Sequence, residues 1–329
     1  MKGYFKYEDI FQVYPLDLPN MPYSNLQTHY PVVLEYWTSP DERIEVDVEY
    51  EVLKESFSET ATQTTKEDKI LSLLTLFTNH SFFRYTDFSG AWGLPILYDN
   101  PGEEANQWST KWIMTGTYHW PEMVGHFQIT NFSKTGVDEV QYKDHKSYYY
   151  DNPNFDNDQL REITFPYNIF VGLGVYFTLP NEIRGIVDSA ISYSVAAMEM
   201  RNQRKTLSLL ASFTSVETMV NLEYKDLKPE KCKECGQLKF GVVRKYREYL
   251  LKYFGDSPYN KKKFSAYYDL RSKIVHTGER LKTENLYNNL PKDEQQKEFV
   301  TRMEILQIGK LAIINWLIKN SYVIAKNED

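Results

Sequence analysis

At 329 residues, 42% hydrophobic and 25% charged, the chain has the make-up of a soluble globular protein with room for two domains. Two cysteines exclude a disulfide-built scaffold, and the longest apolar run, Leu311–Ile318, is too short to span a bilayer and contains Asn315. Met1–Asp9 is polar and of mixed charge, unlike a secretory leader, so a reduced, cytoplasmic setting with no membrane partner is expected.

The net charge of −7 is unevenly spread. Up to Val175 there are 12 Lys and Arg against 26 Asp and Glu, a net of −14; the remainder carries 26 against 19, a net of +7. An acidic first half and a basic second half argue for two domains, with any polyanion handled by the second. Lys-rich helices are often mildly basic for other reasons, so the asymmetry alone does not specify RNA.

In the first 60 residues the pattern is that of β-structure. Val32–Trp37 is β-prone, and Ile44, Val46, Val48 and Tyr50 alternate with Glu45, Asp47, Glu49 and Glu51, the period of a half-buried strand. Turn chemistry at Ser39–Glu42 predicts a hairpin between them. Thr65 and Asp68 have capping-box spacing ahead of an amphipathic helix through Ile70, Leu73, Leu74 and Phe77. Residues 81–150 hold strand-like runs at Ser81–Phe88 and Trp112–Trp120, and five of the six tryptophans precede residue 121. Aromatics in such numbers could stack on a ligand, but they are more often the core of a β-sandwich or barrel. The stretch 146–160, rich in Asn and Asp and interrupted by Pro153, is the expected linker. Ile169–Leu179 is apolar and is expected to close the first domain or to contact the second.

Helical periodicity dominates from Pro180 onward. The pattern predicts a helix capped by Asn181 and running to about Met200. A second carries Leu209, Phe213, Val216 and Val220 on one stripe, and a third spans about Lys239–Phe254. A fourth starts near Asn260, and a fifth spans about Gln295–Val323 with Phe299, Met303, Leu306, Ile313 and Leu317 inward. The expected fold class is therefore α+β: an acidic β-rich sensor or regulatory domain over 1–155, a linker and inter-domain segment over 156–177, and an all-α bundle over 178–329.

The most informative stretch is Tyr267–Gly278, which reads Tyr-Tyr-Asp-Leu-Arg-Ser-Lys-Ile-Val-His-Thr-Gly. Phe264, Tyr267, Tyr268, Ile274 and Val275 form its apolar stripe, and Arg271 sits within that stripe. A charge on a core-facing stripe is costly unless paired, so Arg271 calls for a carboxylate. Glu217, at the edge of the stripe of the second helix, is the candidate partner, although it could equally face solvent or a lysine. His276 follows near the helix end, and Gly278 supplies a left-handed stop. On spacing alone, a structural ion pair and a helix-end histidine account for both residues.

The letters Leu-Arg-Ser-Lys-Ile-Val-His-Thr-Gly, their place on the fourth of five helices and the earlier Ser215–Thr218 segment resemble the HEPN superfamily, in particular its Apea-like domains. The resemblance covers roughly residues 178–325. It implies a HEPN-like bundle whose Arg-x4-His motif, Arg271 and His276, cuts RNA without a metal, in a site composed by a homodimer. Many HEPN domains have Asn, Asp or His after the Arg; here it is Ser272, assigned with Glu217 a supporting role. The implied activity is a metal-independent endoribonuclease of toxin or abortive-infection type used in antiviral defence. RNA is its expected substrate, with a phage trigger or an antitoxin as further partners. Some HEPN domains have lost catalysis, so the alternative is a non-catalytic HEPN-like module for RNA or protein binding and dimerisation.

The chemistry fits those residue types. Imidazole suits proton transfer near neutral pH, and guanidinium matches phosphate oxygens with a planar fork. Lys261, Lys262, Lys263 and Lys273 are candidates for neighbouring phosphates, although such a run more commonly marks a solvated helix start. No cofactor is expected for catalysis. Cys232 and Cys235 form half of a tetrahedral zinc site, which leaves two readings: a structural zinc, shared between two chains, or a metal-free loop.

Overall fold

The structure is a computed structural model that describes residues 3–15, 32–47, 51–84, 138–151, 163–227, 241–284 and 289–324. The fold is α+β, with a small antiparallel sheet near the N-terminus and a mostly helical C-terminal region. Two compact units are present. The first comprises Met1–Leu71, Phe82–Lys143 and Asn154–Phe165; the second comprises Ser72–Ser81, Asp144–Pro153 and Pro166–Asp329.

In the first unit, β1 (Phe5–Tyr7), β2 (Phe11–Pro15) and β3 (Val32–Tyr36) pair in the order β1-β2-β3. The register sets Phe5 opposite Val13 and Tyr7 opposite Phe11, and all four are buried. Phe165, from β5 (Phe165–Pro166), stacks on Phe5 at 4.6 Å; β5 pairs with β4 (Tyr142–Lys143). Gln12 faces Glu35 across the next strand, and both are buried. The Tyr14 hydroxyl donates to Glu35 at 3.0 Å, while burial pushes the Glu35 carboxyl above its usual range.

Among the described residues the expected hairpin between Val32–Trp37 and Ile44–Tyr50 does not form; residues 48–50 of it lie outside them. β3 pairs with β2, and Pro40–Glu42 is a short 3-10 turn. Residues 43–47 alternate in exposure but join no strand. The Ile44 N–H donates to Thr62 Oγ1 at 2.9 Å and the Val46 N–H to Ser58 Oγ at 3.0 Å, so hydroxyls of a neighbouring helix take the place of a partner strand. That helix, α1 (Glu51–Phe77), is 27 residues long, so Thr65 lies inside it and caps nothing. Of the predicted strand Ser81–Phe88, residues 81–84 are irregular; 85–88 and Trp112–Trp120 lie outside the described residues.

In the second unit, α2 (Ile169–Thr178) packs on α7 (Lys292–Ile324). α3 (Asn181–Glu199) and α4 (Lys205–Glu223) form the closest pair, and α7 packs along both. α5 (Val242–Phe254) and α6 (Pro258–Thr277) pack on each other and on α4. The α4 stripe of Leu209, Phe213, Val216 and Val220 is buried as its spacing predicts. Serines bring the helices close: Ser212 Oγ donates to Ile305 O at 3.0 Å and Ser215 Oγ to Ala190 O at 2.8 Å.

Asn181 is the first residue of α3 and makes no side-chain cap bond. Phe299 is 41% exposed, and Arg302 on the same helix is buried, donating to Arg201 O. The expected linker is core over Ser147–Asp151, where Tyr148 and Tyr149 are buried. The Tyr149 hydroxyl donates to Phe77 O at 2.5 Å, and the Tyr148 hydroxyl accepts from Asn79 N at 3.0 Å. Composition marked this stretch as polar, but Tyr148 and Tyr149 carry the burial, while Tyr150 is exposed.

Candidate functional site

Local signals fix α6 at both ends. Ser257 caps it by accepting from Asn260 N at 3.1 Å, and Pro258 occupies the first turn, where its missing N–H costs nothing. Gly278 stops it at φ 68°, and the Gly278 N–H donates to Ile274 O at 3.0 Å. Phe264, Tyr267, Tyr268 and Ile274 are buried, which aims one face of the helix at α4 and α5. Val275, expected on that face, is 46% exposed.

Arg271 meets Glu217 of α4. Its Nη2 donates to Glu217 Oε2 at 3.0 Å, and its Nε lies 2.8 Å from Oε1, close enough for charge pairing but not aligned as a hydrogen bond. The two side chains are 22% and 21% exposed. The guanidinium carbon lies 5.8 Å from the centre of the Tyr268 ring, and Tyr246 of α5 packs against Tyr268 at 5.1 Å. The expected pairing of Glu217 with Arg271 is therefore present, and residues of three helices surround it. Burial, chiefly, and then the Glu217 carboxylate hold the Tyr246 phenol far above its usual range, so it keeps its proton.

His276 is exposed in the last turn of α6. Five residues along an ideal helix turn it about 140° from Arg271 and advance it about 7.5 Å. That rotation puts His276 on the side of Ser272 and Lys273, with Ser272 only part-buried. One chain thus brings Arg271 to Glu217 but sets His276 on a different face. The segment just after it is anchored: Leu281 is buried with its N–H donating to Thr206 Oγ1 at 3.0 Å. The N–H groups of Lys282 and Thr283 donate to Glu298 at 2.9 and 3.2 Å.

Three of the four candidate lysines face carboxylates of their own chain. Lys261 lies 2.8 Å from Asp256, Lys263 2.9 Å from Glu304, and Lys273 2.9 Å from Glu279, while Lys262 is exposed. Cys232 and Cys235 lie outside the described residues. Among the described residues no group of three or more His, Cys, Asp or Glu is placed to hold a metal, and no helix is long and apolar enough to cross a membrane.

Sequence reasoning overlooked Tyr246. A tyrosine on the buried stripe of a short amphipathic helix reads as core, and nothing in its spacing sets it beside an ion pair on two other helices. It overlooked Lys310 as well. This lysine of α7 is fully buried, donates to Thr78 O and to Asn79 Oδ1 at 3.0 Å, and sits 5.6 Å from the Tyr149 ring. Burial holds its amine well below the usual lysine range.

The chain matches no known protein-family profile, no curated protein and no solved structure.

Proposed function

We propose that the chain is a metal-independent endoribonuclease in which Arg271 stabilises the phosphate and His276 transfers protons. The observation that carries this reading is the fixed guanidinium. Glu217 pairs with its Nε and Nη2 side and the Tyr268 ring lies beside it, which orients the cation while Nη1 makes no bond among the described residues. In the reaction, the ribose 2′-oxygen attacks phosphorus as a base takes its proton. The bond to the 5′-oxygen breaks and an acid protonates that oxygen, leaving a 2′,3′-cyclic phosphate and a 5′-hydroxyl. One imidazole does not readily serve as base and acid in the same step. A homodimer supplies two, and also lets the His276 of one chain serve the Arg271 of the other. A role as a toxin or antiviral effector, triggered by phage or restrained by an antitoxin, belongs to the same proposal.

One observation favours a non-catalytic RNA- or protein-binding and dimerisation module instead. The Arg271 charge is already met by Glu217, and Lys261, Lys263 and Lys273 are met by acids. Incubating the protein with RNA in EDTA separates the two readings. The ribonuclease reading expects cyclic-phosphate ends, with DNA and 2′-O-methyl RNA left intact. Cleavage that stops in EDTA and returns with magnesium, or equal cleavage of DNA, would overturn it; binding without any cleavage favours the module.

A further inference from the structure

Resting on the reading of Arg271 as the phosphate-binding cation, we infer that Tyr246 is a second donor at the same site, its phenol hydroxyl bonding an oxygen of the phosphodiester held by Arg271. Tyr246 is 2% exposed, and its ring is fixed at 5.1 Å from Tyr268, which in turn flanks the Arg271 guanidinium at 5.8 Å. Other buried phenols of the second unit, Tyr268 excepted, are bonded among the described residues. Tyr149 donates to Phe77 O, Tyr249 to Ala312 O, Tyr253 to Glu223 and Tyr267 to Glu304, at 2.5–3.1 Å. The Tyr246 hydroxyl makes no such bond among the described residues. The Tyr246 ring packs on Tyr268, which flanks the Arg271–Glu217 pair, and the hydroxyl is not among the fully buried polar atoms left without a partner, so solvent, and with it a ligand oxygen, can reach it. Burial keeps the phenol protonated, so it has a proton to donate. Glu217 Oε1, buried and without an aligned hydrogen bond, is the competing acceptor, and the test has to separate donation to substrate from support of Glu217.

The test compares cleavage of a short RNA, binding of the same RNA with 2′-O-methyl riboses, and thermal melting. The proteins are wild type, Tyr246→Phe, Tyr249→Phe, His276→Ala, Glu217→Gln, and Tyr246→Phe combined with Glu217→Gln. Tyr246→Phe should lower kcat by about 10²-fold, the usual loss of one transition-state donor, with KM little changed and melting no lower than wild type. Tyr249→Phe, which loses its bond to Ala312, should melt lower and keep its kcat. In the Glu217→Gln background, Tyr246→Phe should still slow cleavage; no added loss there would assign the phenol to Glu217 and overturn the inference. Wild-type kcat in Tyr246→Phe would also overturn it, while loss of cleavage in His276→Ala leaves the ribonuclease reading standing. If wild type does not cut RNA, the ribonuclease reading falls and binding decides. Weakening of 2′-O-methyl RNA binding by about threefold or more in Tyr246→Phe supports the donor, and unchanged or absent binding overturns it.

Discussion

Arg271 shows what a single anomalous side chain reveals. A guanidinium inside the stripe of Phe264, Tyr267 and Ile274 demands a carboxylate, and Glu217 on α4 supplies it. That demand was visible in the sequence because charge among apolar residues is a physical inconsistency that only a partner removes. Nothing comparable marked Tyr246, whose hydroxyl makes no bond among the described residues. Stripe edges were also hidden: Val275 and Phe299 fit the period of a buried face, yet they are 46% and 41% exposed. A spacing of 100° per residue gives a direction but not the width of the surface that meets it. The ion pair makes a measurable prediction. Glu217→Gln and Arg271→Gln should each destabilise the protein, and the double variant should lose less than their sum, with a coupling of about 1 kcal/mol for a pair this exposed. Strict additivity in chemical denaturation would mean that the pair contributes nothing. His276→Ala, at an exposed position, should melt as wild type and, on the proposed ribonuclease reading, lose about 10²- to 10⁴-fold in cleavage rate.

Helices were easier to place than strands because their periods are long. The stripes of α4 and α6 could be read directly, and α6 starts within two residues of the expected Asn260 because Ser257 and Pro258 are both strong start signals. Over residues 44–47, the described part of the predicted strand Ile44–Tyr50, no strand forms, for a specific reason. Alternation reports that one side is covered, not what covers it. Here the cover is a helix whose Ser58 and Thr62 bond the Ile44 and Val46 amides. Nor does sequence show how closely two helices approach. A Cβ built on Gly309 of α7 would lie 2.3 Å from Ser212 Oγ of α4, the atom that donates to Ile305 O. Gly309→Ala should therefore cost about 1–3 kcal/mol, as overpacking does. Adding Ser212→Ala should recover part of that loss by removing the clashing oxygen. Equal melting of Gly309→Ala and wild type would show that the two helices can part without penalty.

The second unit carries buried bases whose protonation opposes folding, which gives its stability a pH dependence. Lys310 is fully buried, and burial, followed by the nearby Lys310 charge, pulls the His80 imidazole from its ordinary 6.5 down to about 4. Between those values an unfolded chain binds a proton at His80 that the folded chain does not, so stability rises with pH. The contribution of a neutral His80 is complete above pH 6.5 and is lost as pH falls toward 4. Over the fall from pH 7.5 to 5 that loss amounts to about 2 kcal/mol. Lys310 acts in the same direction, because its amine is also held below its usual range by burial. Comparison with a variant isolates the His80 share from the titration of every other group. His80→Asn cannot take up the proton, so the stability gap between wild type and His80→Asn should shift by about 2 kcal/mol between pH 7.5 and 5, in favour of the variant at the lower pH. Denaturant unfolding at the two pH values measures it. A gap that stays constant would mean that folded His80 titrates as it does in the unfolded chain, leaving His145 and Lys310, both held low chiefly by burial, as the bases whose protonation opposes folding.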